Sequence, residues 1–161
     1  MLAALGLAGC GTKTITRTVT VDRPGSTVDQ RYFGHVVSMQ RSGAGYLMRF
    51  DPEWFLSGLT GNVALAEDSG TTCKPRACPP VPNDVYSLDE THRALTFVVP
   101  ASTMGAVLVG GGLSTKKVDA SELAQIVAGH SSLKLFEPLD SGVWITVHID
   151  TVRRFDQQYR P

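Results

Sequence analysis

Val143-Trp144-Ile145-Thr146-Val147-His148-Ile149-Asp150 alternates without a break between β-branched apolar residues and polar or amphipathic ones. Successive side chains of a strand point to opposite faces, so Val143, Ile145, Val147 and Ile149 are expected on one buried face. Trp144, Thr146, His148 and Asp150 then share the other. Upstream, Asp119-Ala120-Ser121-Glu122 has the form of a capping box, with Val118 and Leu123 placed to close a hydrophobic staple. A short helix follows, with Leu123, Ile126 and Val127 as its buried stripe and Gly129 as its stop. Before it, residues 104–109 read as a strand ended by Gly110-Gly111-Gly112. Residues 85–88 and 94–99 form two more strands across a polar turn, with Leu95, Phe97 and Val99 on one face.

Residues 32–40 (YFGHVVSMQ) and 46–50 (YLMRF) flank a glycine-containing turn and predict a hairpin. Asp51-Pro52-Glu53 has the features of a helix start: an N-cap acid, a proline at the first position and a carboxylate near the positive dipole end. Leu56, Leu59, Val63 and Ala66 recur at helical spacing, which carries the expected helix to about Glu67, weakened by Gly58 and Gly61. The expected order is two strands, helix, loop, three strands, helix, strand. Hairpin-length connections favour antiparallel pairing. The expected fold is α+β, with a mainly antiparallel, curled or partly barrel-like sheet and two short helices.

The chain of 161 residues suits one domain with its own core, and 42% hydrophobic with 19% charged residues is ordinary globular composition. Lys plus Arg and Asp plus Glu both total 15. A nucleic-acid binder draws affinity from phosphate neutralisation and shows a basic excess, so nucleic acid is not an expected partner.

Residues 1–9 (MLAALGLAG) are apolar and small, without a charge, and far shorter than a membrane span. They read as the remnant of a cleaved secretory signal. Leu7-Ala8-Gly9-Cys10 follows directly and resembles the lipobox of bacterial lipoproteins. That resemblance implies a thioether lipid on Cys10 and an acylated amine, palmitate being a typical chain, and hence an extracytoplasmic domain anchored to the cell membrane. Residues 10–30 are a Thr-rich linker that carries the domain clear of the headgroups, and residues 31–161 form the single domain.

Cys73 and Cys78 lie in the proline-crowded segment TTCKPRACPPVPND. They form an even pair once Cys10 is taken by lipid, and an oxidising compartment makes a loop-pinning disulfide the expected state. Structural zinc needs four ligands, and a redox pair has a shorter Cys-x-x-Cys spacing; neither pattern fits.

A catalytic constellation is not evident. His35, His92, His130 and His148 lack paired metal spacing, although His35 and His148 on strands beside Asp150 form a weak candidate set. Gly-x-Ser-x-Gly is absent, and the glycine triplet lacks the Lys-Ser/Thr of a phosphate-cradling loop. Asp84, Asp89 and Glu90 lack calcium-loop spacing. No metal or other cofactor is expected. Trp144 beside Thr146, His148 and Asp150 has the composition of a sugar or peptide contact face, if its ring is not covered. FDPEWFLSGLTGNVALAEDS (residues 50–69) and PNDVYSLDETHRALTFVVP (residues 82–100) resemble a domain of uncharacterised secreted bacterial proteins. That resemblance implies localisation and no active residues. The expected function is a non-enzymatic envelope module that binds a protein or glycan; the alternatives are a small secreted hydrolase and a structural subunit of an envelope complex.

Overall fold

The computed structural model describes residues 28–90, 93–111 and 114–159. Strands β1 (Gln30–Ser42) and β2 (Gly45–Ser57) form a long hairpin, and α1 (Gly58–Asp68) follows. Then come β3 (Val85–Leu88), β4 (Leu95–Pro100), β5 (Met104–Val109) and β6 (Ser114–Asp119). Helix α2 (Ala120–Val127) precedes the closing hairpin β7 (Val143–His148) and β8 (Thr151–Gln157). The class is α+β with a barrel-like sheet, as the sequence pattern predicts.

Five strands close on themselves in the circuit β1–β2–β4–β8–β7. All contacts are antiparallel except β4–β8, which is parallel and meets at Val98 and Thr151. This is a small Greek-key barrel, whose interior is filled by side chains. Closure removes sheet edges that would otherwise lie open. The β5–β6 hairpin continues the sheet from β8, in parallel through Met104–Arg154 and Ala106–Asp156. The second half of β2 pairs with β3, and α1 lies beside that pair.

Alternation explains the core. Met48 and Phe50 of β2, Val99 of β4, Val143 and Ile145 of β7, and Val152 and Phe155 of β8 are buried to the last per cent or two. Leu123 of α2 joins them. Burying each such side chain contributes roughly 1.5–3 kcal/mol. The cap of α2 is as expected: the Asp119 carboxylate accepts the Glu122 N–H at 2.8 Å. At the other end His130 N–H reaches the Gln125 carbonyl and Gly129 N–H the Ile126 carbonyl, at 2.8 and 3.0 Å, a Schellman closure.

Several expectations are corrected. Asp51-Pro52-Glu53 does not start a helix; it continues β2, with His35, Gly34 and Phe33 of β1 opposite in register. Backbone pairing with β1 outweighs the local helix-start chemistry. The two backbones run so close that a Cβ on Gly34 would sit 2.0 Å from the Asp51 carbonyl oxygen. In α1 the buried residues are Gly61, Ala64 and Ala66, while Leu59 is 52% exposed. Leu95 is also exposed, at the first position of β4. Two strands, β6 and β8, were not expected. β6 (STKKVD) buries one residue, Val118, and so shows no apolar alternation. In β8 a register shift opposite Thr146 and Val147 spaces Val152 and Phe155 by three, which breaks the period of two. Ile149 does not extend the buried face of β7. It sits in the β7–β8 turn with φ 61°.

Candidate functional site

Cys10 and the apolar run before it lie outside the described residues. The other two cysteines are joined: Cys73 and Cys78 form a disulfide with their Cα atoms 5.2 Å apart. Asn62 of α1 holds the loop further, its side-chain oxygen accepting the Val81 N–H at 2.8 Å. The Tyr86 hydroxyl donates to Asp68 at 2.6 Å. That hydrogen bond, then burial and the adjacent negative charge, raise the Tyr86 pKa above the usual phenol value. These contacts staple α1, the loop and β3 into one supported side of the barrel.

On the outer face of β1, β2 and β7 three aromatic rings pack together. Phe33 lies 4.8 Å from Phe55 and 5.2 Å from Trp144, centroid to centroid, and Phe55 is 5.2 Å from Trp144. The Arg31 guanidinium stacks over Trp144 at 4.4 Å, and the indole N–H donates to the Gln158 side chain at 2.8 Å. Trp144 is therefore half-buried, with its polar handle used and one face taken by a cation. Along the same face, Thr146 is also half-buried. His148 lies at the far end, its Nδ1 3.0 Å from an Asp29 carboxylate oxygen. Asp150 is in the turn, where its carboxylate accepts the Thr151 hydroxyl and its carbonyl accepts the Val98 N–H.

His35 and His148 do not converge. His35 stands opposite Asp51, six residues along β1 from Asp29, a separation of about 20 Å at strand rise. Among the described residues no group of three His, Cys, Asp or Glu side chains is placed to hold a metal ion. His130 and His92 add nothing: His130 is exposed beyond α2 and His92 lies outside the described residues.

A second polar group was missed by sequence reasoning. His35 Nε2 lies 2.5 Å from Glu53 Oε1. The neighbouring Asp51 has one carboxylate oxygen buried without a hydrogen-bond partner among the described residues. Reading these acids as helix-start residues hid them; reading positions 51, 53 and 55 as a continued alternation would have placed them on the outer face beside Phe33. Elsewhere, an open groove of about 360 Å³ runs between β6 and α2, lined by Met104, Lys116, Lys117, Ser121 and Gln125 among others. It is shallow and polar, suited to surface contact. No family model matches the chain, and no curated protein or solved structure matches it.

Proposed function

We propose that this chain is an extracytoplasmic lipoprotein, anchored by lipid on Cys10, whose barrel acts as a non-enzymatic binding module of the cell envelope. The observation that carries the reading is the division of its three cysteines. Cys73 and Cys78 are paired with each other, which leaves Cys10, in Leu7-Ala8-Gly9-Cys10, as the thiol available for acylation. A disulfide also suits an oxidising compartment. Binding on the outside of the molecule is favoured because Met48, Phe50, Val99, Ile145 and Phe155 fill the barrel interior among the described residues. A protein or glycan partner is then met on the outer faces, where Trp144, Arg31 and Thr146 offer a half-exposed aromatic edge with polar neighbours.

The test is mass spectrometry of the mature N-terminus after expression in a bacterial host, beside membrane fractionation. Wild type is expected to start at an acylated Cys10 and to sediment with membranes, and Cys10→Ala to be recovered in soluble form. An unmodified chain that retains residues 1–9 would overturn the proposal.

A further inference from the structure

Residues 58–88, from α1 through the disulfide loop to β3, are held differently from the rest of the domain. Strands β1, β2 and β4 to β8 and helix α2 each supply a side chain to the hydrophobic core or pack one against it. Among the described residues, α1 and β3 supply none. What this segment buries is small: Gly61, Ala64 and Ala66 on α1, then Cys78 and Val81 in the loop. Three of its side-chain hydrogen bonds join two of its own residues. The Gly58 N–H donates to Asp84 Oδ1 at 3.0 Å, the Val81 N–H to Asn62 Oδ1 at 2.8 Å, and the Tyr86 hydroxyl to Asp68 at 2.6 Å. Attachment to the barrel runs through the ladder between β3 and Trp54–Ser57 and through the seat of α1 on β2. The segment is tied within itself and lightly docked.

Helix α1 depends on that seat. It has 11 residues, no side-chain cap at Ser57, no acid in its first turn and no base in its last. An isolated helix of this length is marginal in water, so α1 melts when it leaves β2. Asn83 and Asp84 both hold φ 57°, and the strain of this left-handed pair is relieved on release. The disulfide opposes release. Both cysteines lie inside the segment, with a sequence separation of 5, so the bond acts by restricting the melted loop.

We propose that residues 58–88 are a disulfide-latched flap, which melts off β2 as a unit while the barrel stays folded. The redox state of Cys73 and Cys78 sets how often it opens. Opening bares the backbone edge of Trp54–Ser57, which the flap otherwise occupies with β3. In the chain-entropy account, closing so short a loop favours the docked state about thirtyfold. Unlatching takes a dithiol reductant. One of its thiolates attacks Cys73 Sγ, which is half-buried where Cys78 is 8% exposed, and Cys78 leaves and takes up a proton. The second thiol resolves the mixed disulfide, so two electrons and two protons pass to the protein as two thiols and the reductant is left as a disulfide. In an oxidising compartment the latched flap is the resting state.

The experiment is native-state hydrogen exchange on the full chain carrying Cys10→Ala, so that Cys73 and Cys78 are its only cysteines. The chain is compared oxidised, held reduced with dithiothreitol, and with Cys73→Ser and Cys78→Ser together. Reduction and the double serine variant are each expected to lower protection of the Ala64 and Leu65 amides about thirtyfold, and to leave Ile145 in the barrel unchanged. Asn62→Ala in the oxidised chain is expected to lower the same α1 amides about fivefold, through loss of the bond to Val81, again without effect at Ile145. An equal loss of protection at Ile145 on reduction would overturn the proposal, because the disulfide would then staple the whole domain. So would α1 amides that keep their oxidised protection once the disulfide is gone.

Discussion

Replacing Gln157 with methionine tests how the β5–β6 hairpin is held to the barrel. Backbone pairing between β5 and β8 stops at Ala106 and Asp156. Two residues further along β5, the Leu108 N–H donates to the Gln157 side-chain oxygen at 2.9 Å, so an amide side chain extends the ladder by one step. The amide nitrogen of Gln157 donates to the carbonyls of Glu137 and Pro138, at 2.9 and 3.2 Å. This orientation is required, since only the oxygen end can face an N–H and only the nitrogen end can face carbonyls. Gln157 and Leu108 are 8% and 6% exposed, so water does not replace the lost bonds. Methionine has a similar volume and opens no cavity. Orphaning the Leu108 N–H costs about 1–3 kcal/mol, and loss of the carbonyl bonds about 1 more. Burying the thioether returns about 1 kcal/mol. The expected net loss is about 1–3 kcal/mol. Urea unfolding with the disulfide intact measures it, with an unchanged slope showing that only stability moved. Native-state hydrogen exchange should show the Leu108 amide losing protection ahead of Ile145. A loss under about 0.5 kcal/mol would refute the pinning role.

Gly105→Ala should be more damaging, because its Cβ would meet the Phe155 carbonyl oxygen at 2.0 Å and the ring at 2.3 Å. Forcing β5 from β8 costs about 3 kcal/mol or more by overpacking, read as a fall in the thermal midpoint. Asp119→Ala removes the α2 cap and is expected to cost about 1 kcal/mol in the same urea assay, with Asp119→Asn largely restoring it. The raised pKa of Tyr86 means that its bond to Asp68 stabilises the fold below the ordinary phenol pKa and is lost as pH rises through the higher folded value. Wild type should therefore lose stability over the alkaline limb more than Tyr86→Phe does, and parallel alkaline curves would count against that bond.

Legibility in the sequence followed the locality of each signal. The α2 cap, the strand β7 and the β1–β2 hairpin rest on neighbours within a few residues, and each was readable. The pairing of Cys73 with Cys78 rested on counting and closeness. The strand β8 was hidden because its bulge spaces the buried residues Val152 and Phe155 by three, and a bulge is set by the partner strand. The polar pair His35–Glu53 was hidden because Asp51-Pro52-Glu53 carries a good helix-start pattern that pairing with β1 overrides. Trp144 was recognised as chemically interesting, but its neighbours Phe33, Phe55 and Arg31 come from other strands and were not visible from its own.

Residue order alone determined which segments have an inside and an outside, and where α2 begins. Those properties come from local propensity, periodicity and composition, which need no partner to exist. Only the tertiary structure decided that the sheet closes, that β6 and β8 are strands, and that Ile149 leaves the core for an exposed turn. Each depends on hydrogen bonds between residues far apart in the chain, and a buried backbone N–H or carbonyl must find its partner wherever the fold supplies one.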